Sequence, residues 1–182
     1  MNARHAGGFT LIELLMVVAI ISILAAIAVP GLLRARLAGN EASAIGTLRA
    51  INSGQASYST SCTSGGGYAI SLDDLAKPPP GGSNVQGFVS PDLSSNGVTK
   101  SGYIVTLAKD GAAGTLDVGT AADTCNSSAG TPASSYFASA DPRTVNSSGR
   151  RFFATDRRGT IFYDMSAAIP NPIPPATSTF IQ

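Results

Sequence analysis

The chain has 182 residues, only 13% of them charged, and its 12 basic and 11 acidic side chains leave a formal net charge of +1. That balance argues against a protein held to nucleic acid chiefly by phosphate neutralisation, which calls for a clear basic excess. Twenty glycines, 11 prolines and a single histidine, His5, argue for a loop-rich domain plus an extension and against imidazole-based catalysis.

Residues 1–8 form a short polar leader with one arginine, Arg4. The next segment, FTLIELLMVVAIISILAAIAVPGLL (9–33), carries one formal charge, Glu13. As a helix it would span about 37 Å, enough to cross a hydrocarbon core of about 30 Å. Three readings compete: a cleaved export signal, for which AIA at 26–28 offers a small-x-small site; a plain membrane anchor; and a signal cut ahead of the apolar run. An acid inside the run serves neither of the first two, because a charge at a helix centre costs about 2.5–3.5 kcal/mol on insertion scales. Cleavage between Gly8 and Phe9 would free an α-amino group about 6 Å of helix away from Glu13. In oil each charge is costly alone and tolerable when paired. Within one helix the two are badly placed to meet, whereas the acid of one copy can meet the amine of an axially staggered neighbour. Glu13 therefore reads as a register device for self-assembly.

Gly8, Phe9 and Thr10 followed by Glu13, the apolar run and Pro30 resemble the N-terminal signature of type IV pilins and related pseudopilins, over about residues 7–32. The resemblance implies that a prepilin peptidase cuts after Gly8 and that the new terminal Phe9 is N-methylated. Thr10 and Glu13 then belong to the assembly segment, and subunits leave the membrane lipid through an inner-membrane assembly platform to join a filament of copies of themselves. The flanking charges, Arg4 against Arg34 and Arg36, do not orient the run. The family's topology does, with the leader in the cytoplasm, the head in the periplasm and the finished filament at the cell surface.

The helix is expected to continue through an amphipathic half, residues 34–60. Leu37, Ala38, Ala42, Ile45, Leu48 and Ile51 recur at three- and four-residue steps, with Arg36, Asn40, Arg49 and Asn52 on other faces. Pro30 removes a backbone donor and should kink or loosen the helix, with Gly31 and Gly39 as further soft points. SCTSGGG (61–67) ends it. One helical turn is expected at 72–76 before the prolines, then strands at 102–109, 135–140, 150–155 and 160–164. DRRG supplies a tight last connection with Gly159 free for positive φ. The proline-rich tail, AAIPNPIPPATSTFIQ, is expected to run over the surface. The fold class is thus α+β: a long N-terminal helix on an antiparallel sheet of about four strands in a head, residues 61–182. The pilin resemblance implies the same layout.

Cys62 at the helix end and Cys125 between the first two strand candidates can pair if the head is exported, and two free thiols are the alternative. Two thiols without histidine make a poor zinc site. Asp73 and Asp74 read as solvated neighbours, and Asp110, Asp117 and Asp123 match no calcium-loop spacing. Neither metal, cofactor nor catalytic residue is assigned. Phe152, Phe153, Phe162 and Tyr163 read as core and sheet residues. Arg150, Arg151, Arg157 and Arg158 surround the last hairpin and serve an exposed edge, subunit pairing or an acidic partner, nucleic acid included. The expected function is a structural pilus subunit for motility, adhesion or DNA uptake. The alternatives are a type II secretion pseudopilin and a membrane-anchored module that never polymerises.

Overall fold

The computed structural model describes residues 9–81, 86–175 and 179–181. Helix α1 (Leu11–Ser61) is followed by a one-turn helix α2 (Leu72–Ala76) and by strands β1 (Val98–Lys100), β2 (Tyr103–Lys109), β3 (Tyr136–Pro142), β4 (Phe152–Asp156), β5 (Ile161–Asp164) and β6 (Thr179–Ile181). The chain divides into two compact units, Met1–Arg36 and Leu37–Gln182.

In the first unit every described residue is exposed, and α1 passes through Pro30 without a break in its assignment. The helix forms because the run holds no other breaker, and it has no core to join. Its one interior hydroxyl, on Ser22, donates to the Val18 carbonyl at 2.7 Å, which satisfies it within the helix.

In the second unit the six strands form one antiparallel sheet in chain order. Val98, Val105, Ala140, Phe153, Tyr163 and Thr179 are successive partners across it. Alternate residues Tyr103, Val105 and Leu107 of β2 join Tyr136, Ala138 and Ala140 of β3 and Phe153 of β4 in a core with Ala44, Leu48, Ile51 and Tyr58 of α1. Leu72 and Leu75 of α2 complete that core. Strand β3 is buried on both faces, because Phe137 also packs with Ala154, Ile169 and Ile173 on the other side of the sheet.

The sheet has six strands where the sequence suggested about four. Strand β1 was missed because it is short, yet Ser101 and Gly102 have φ of 47° and 77°. Two successive positive φ values are the mark of a type I′ hairpin. The tail does not simply run over the surface: Ile169 and Ile173 are buried, and Thr179–Ile181 pairs with β5. Prolines bar a strand at 170–175 but not at Thr179–Ile181. The expected turn at 72–76 and the Gly159 turn (φ 73°) are both present.

The helix stripe also needs correction. Ala38 and Ala42 are exposed, whereas Glu41, Ala44, Thr47, Leu48, Ile51, Gly54, Gln55 and Tyr58 are buried. Asn40 and Asn52 face the sheet side through hydrogen bonds. Ranking residues by apolarity misplaced the stripe by part of a turn, because its true inner face carries polar residues with partners.

Candidate functional site

The residues the sequence singled out begin at the N-terminus of α1. Thr10 donates to Glu13 Oε2 from its backbone N–H at 3.0 Å and from its hydroxyl at 2.6 Å. The Glu13 N–H donates back to Thr10 Oγ1 at 3.3 Å. This is a capping box, in which two orphan donors of the first helical turn are satisfied reciprocally. The sequence reading gave Glu13 only a partner on another copy, although the spacing Thr10-x-x-Glu13 was there to see. Both Thr10 bonds converge on Oε2, and Oε1 makes no hydrogen bond among the described residues. Phe9 is 82% exposed. Gly8 lies outside the described residues. Pro30 sits inside α1, where it cannot donate to the carbonyl of Ala26 one turn earlier.

Beyond Arg36 the helix is held to the sheet by a series of polar contacts. Asn40 Nδ2 donates to the Ser148 carbonyl at 2.9 Å. The Glu41 carboxylate accepts from the Arg150 N–H at 2.9 Å and from Arg151 Nε at 2.8 Å. Asn52 donates to Thr155 and to the Gly159 carbonyl, and accepts from the Tyr136 hydroxyl. Fully buried Gln55 exchanges two bonds with the backbone of Ala69. The Tyr58 hydroxyl meets Ser128 at 2.7 Å, and burial raises the Tyr58, Tyr103 and Tyr136 phenols above their ordinary pKa.

Two comparisons bear on the N-terminal segment. The family described as the prokaryotic N-terminal methylation motif matches residues 3–29. The type IV wide pilus major component PilA4 of Thermus thermophilus is 63% identical over 38 residues, 21% of this chain and 29% of that protein. The opening segment of the chain is thus similar to the N-terminal segment of a type IV pilin. The likeness spans less than a third of that relative, and no solved structure matches the chain.

Beyond this pilin-like segment, the head carries its own corrections. Cys62 and Cys125 form a disulfide that closes a separation of 63 residues, and the Cys125 N–H donates to the Cys62 carbonyl at 2.8 Å. The last turn of the long helix is thereby tied to the loop between β2 and β3. Asp74 is not solvated: it is buried, accepts from Ser71 and receives the N–H groups of Ala129 and Gly130. An acid at the start of a helical turn, three residues after a serine, was the readable cue. Asp110 accepts from Ser135 and Ala112, Asp117 pairs with Lys109, and Asp123 caps the short turn Ala121–Asp123. The three acids are thus engaged in separate local contacts.

The four-arginine cluster is divided by its partners. Arg151 stands over Phe153 and Tyr163, 5.3 Å from each ring centre, while paired with Glu41. Arg158 pairs with Asp156 and stands 4.6 Å over Phe162, and the Asp156 hydrogen bond raises its pKa further. Those two are engaged by acids and rings, whereas Arg150 and Arg157 are exposed and make no ion pair among the described residues. Asp141, which the sequence reading passed over, has an Oδ1 buried without a hydrogen-bond partner among the described residues. Burial raises its pKa, against the weaker pull of the Ser139 hydroxyl.

Proposed function

We propose that this chain is a structural subunit of a type IV pilus-like filament. The observation that carries the reading is the coincidence of the methylation motif, residues 3–29, with the half of α1 that buries nothing in its own chain. Large side chains such as Leu11 (76% exposed) and Ile27 (75% exposed) need another apolar surrounding. Membrane lipid supplies it before assembly and helices of neighbouring copies supply it afterwards. A prepilin peptidase removes the leader after Gly8, Phe9 is N-methylated, and an inner-membrane platform draws the helix into the fibre. The leader stays in the cytoplasm and the head lies outside, finally at the cell surface.

Glu13 then has two successive partners. Thr10 holds Oε2 in the single chain, and the freed amino group of a neighbour takes Oε1 in the filament. Each partner lowers the cost of keeping a carboxylate in apolar surroundings. The role is architectural, and the segment needs no catalytic group.

The N-terminal residue and its mass, measured on sheared surface fibres, test the reading. Methylated Phe9 is expected, and a mature terminus at or near Val29 would indicate an ordinary export signal. Replacing Glu13 with Ala should leave insertion and cleavage intact and reduce assembly. Fibres of normal yield and length from that variant would overturn the assembly role.

A further inference from the structure

The head's charges are unevenly spent. Lys100, Lys109, Arg151 and Arg158 each pair with an acid. The loop between β3 and β4 is different: residues 143–151 contain three arginines and no acid. One of them, Arg151, is consumed by Glu41, which leaves Arg143 and Arg150 exposed and without an ion pair among the described residues. The loop is built firmly. The Arg143 N–H donates to the Gly102 carbonyl, the Asn146 N–H to the Gly149 carbonyl, and the Ser148 N–H to the Thr144 carbonyl, each at 2.8 or 2.9 Å.

Its position in the head gives those charges a direction. Asn40 and Glu41 stand at the start of the second unit, and both bond to this loop, through Ser148 and Arg150. The loop is therefore where the head first grips α1. Asn40 follows Leu33, the last of the apolar run, by seven positions, so the chain itself keeps this loop's anchor near the end of that run. The opposite pole of the head, around the Cys62–Cys125 bridge, carries the exposed acids Asp117 and Asp123 instead.

We infer that Arg143 and Arg150 form a lipid-docking surface, on which the phosphates of anionic phospholipids hold the head against the membrane before assembly. The inference rests on the membrane-anchored reading above. Two guanidinium groups present forked donors matched to phosphate oxygens. Each basic side chain close to an anionic leaflet favours the docked loop by about fivefold. Docking ends when the helix leaves the bilayer for the fibre, because the phosphates are left behind.

The chain contains no tryptophan, and Val145 in this loop is 47% exposed, so Val145→Trp provides a single reporter. The full chain carrying it is placed in vesicles of phosphatidylcholine alone, or of equal parts phosphatidylcholine and phosphatidylglycerol. Both contain a headgroup spin-labelled lipid as quencher. Stronger quenching is expected with phosphatidylglycerol. The docked-to-free ratio should drop about fivefold with Arg143→Ser or Arg150→Ser, about twenty-five-fold with both, and should drop on adding salt. Neither change removes the backbone contacts that shape the loop, and an intact disulfide with unchanged circular dichroism checks the fold. Equal quenching in the two lipids, or an indifferent double variant, overturns the inference. So does quenching that falls as the protein-to-lipid ratio rises, since the loop would then meet a second copy. A chain that fails to float with the vesicles overturns the membrane reading as well, whereas one that floats without loop quenching overturns docking alone.

Discussion

Between Leu11 and Arg36 helix α1 carries one acid and buries nothing, whereas between Leu37 and Ser61 it buries Glu41, Thr47 and Gln55 beside Leu48, Ile51 and Tyr58. The half without a core is the apolar one, and the half with a core is polar. The difference follows from what each half faces. An unaccompanied helix in lipid or in a bundle of its copies must offer carbon at every position and satisfy its few polar atoms internally, as Ser22 and Glu13 do. The head-bound half has fixed partners close by. There a polar side chain costs little if its bonds are made and costs much if they are not. Polarity along this one helix thus reports where a partner is assured.

Several substitutions would break or sharpen that contrast. The largest effect belongs to the tie at the far end of the head-bound half. Replacing Cys62 and Cys125 with Ser should destabilise the head by about 4 kcal/mol, the chain-entropy value for a loop of this length. Chemical denaturation of the variant beside the oxidised parent would show it, and an unchanged midpoint would mean the helix end needs no tie. Next comes Glu41→Ala, which removes the acceptor shared by the Arg150 N–H and Arg151. A loss of about 2 kcal/mol is expected, with restored exchange of the Arg150 amide as the local sign.

Asp141→Asn should go the other way and stabilise the head by about 1 kcal/mol, because it removes a charge from a buried, half-satisfied site. The sign with pH follows. A carboxyl with a raised folded pKa binds its proton more tightly in the native state, so its penalty is absent below about pH 4 and complete above the folded pKa. The stability gap between the Asp141→Asn variant and the parent should therefore open as pH rises, and a gap of constant size would contradict the burial. The smallest effect is at the other end of α1. Thr10→Ala removes the capping box, at a cost of about 1 kcal/mol confined to the first turn. Faster hydrogen exchange at residues 11–13 in a micelle or nanodisc would report it. The head's denaturation midpoint should not move.

The split between what could be read early and what could not runs along the same helix. The apolar segment, its acid, the Gly8–Phe9 junction and Pro30 are local in the chain, so the amino-acid order determined the apolar half of the helix and its family likeness. Periodicity located the four longer strands, and composition located the end of α1. It was blind to β1 and β6, which are three residues each and exist because longer neighbours offer them an edge. The order also left the pairing of Cys62 with Cys125 open. Only the tertiary structure decided that pairing, the turn of α1 toward the sheet, and which polar residues lie within it. Asn40, Glu41, Gln55, Asp74 and Arg151 find partners outside their own helical turn or strand, and no local rule encodes a contact whose energy depends on long-range closure. What a residue can do was written in its type, but whether it is spent inside the head or left exposed was settled by what folds against it.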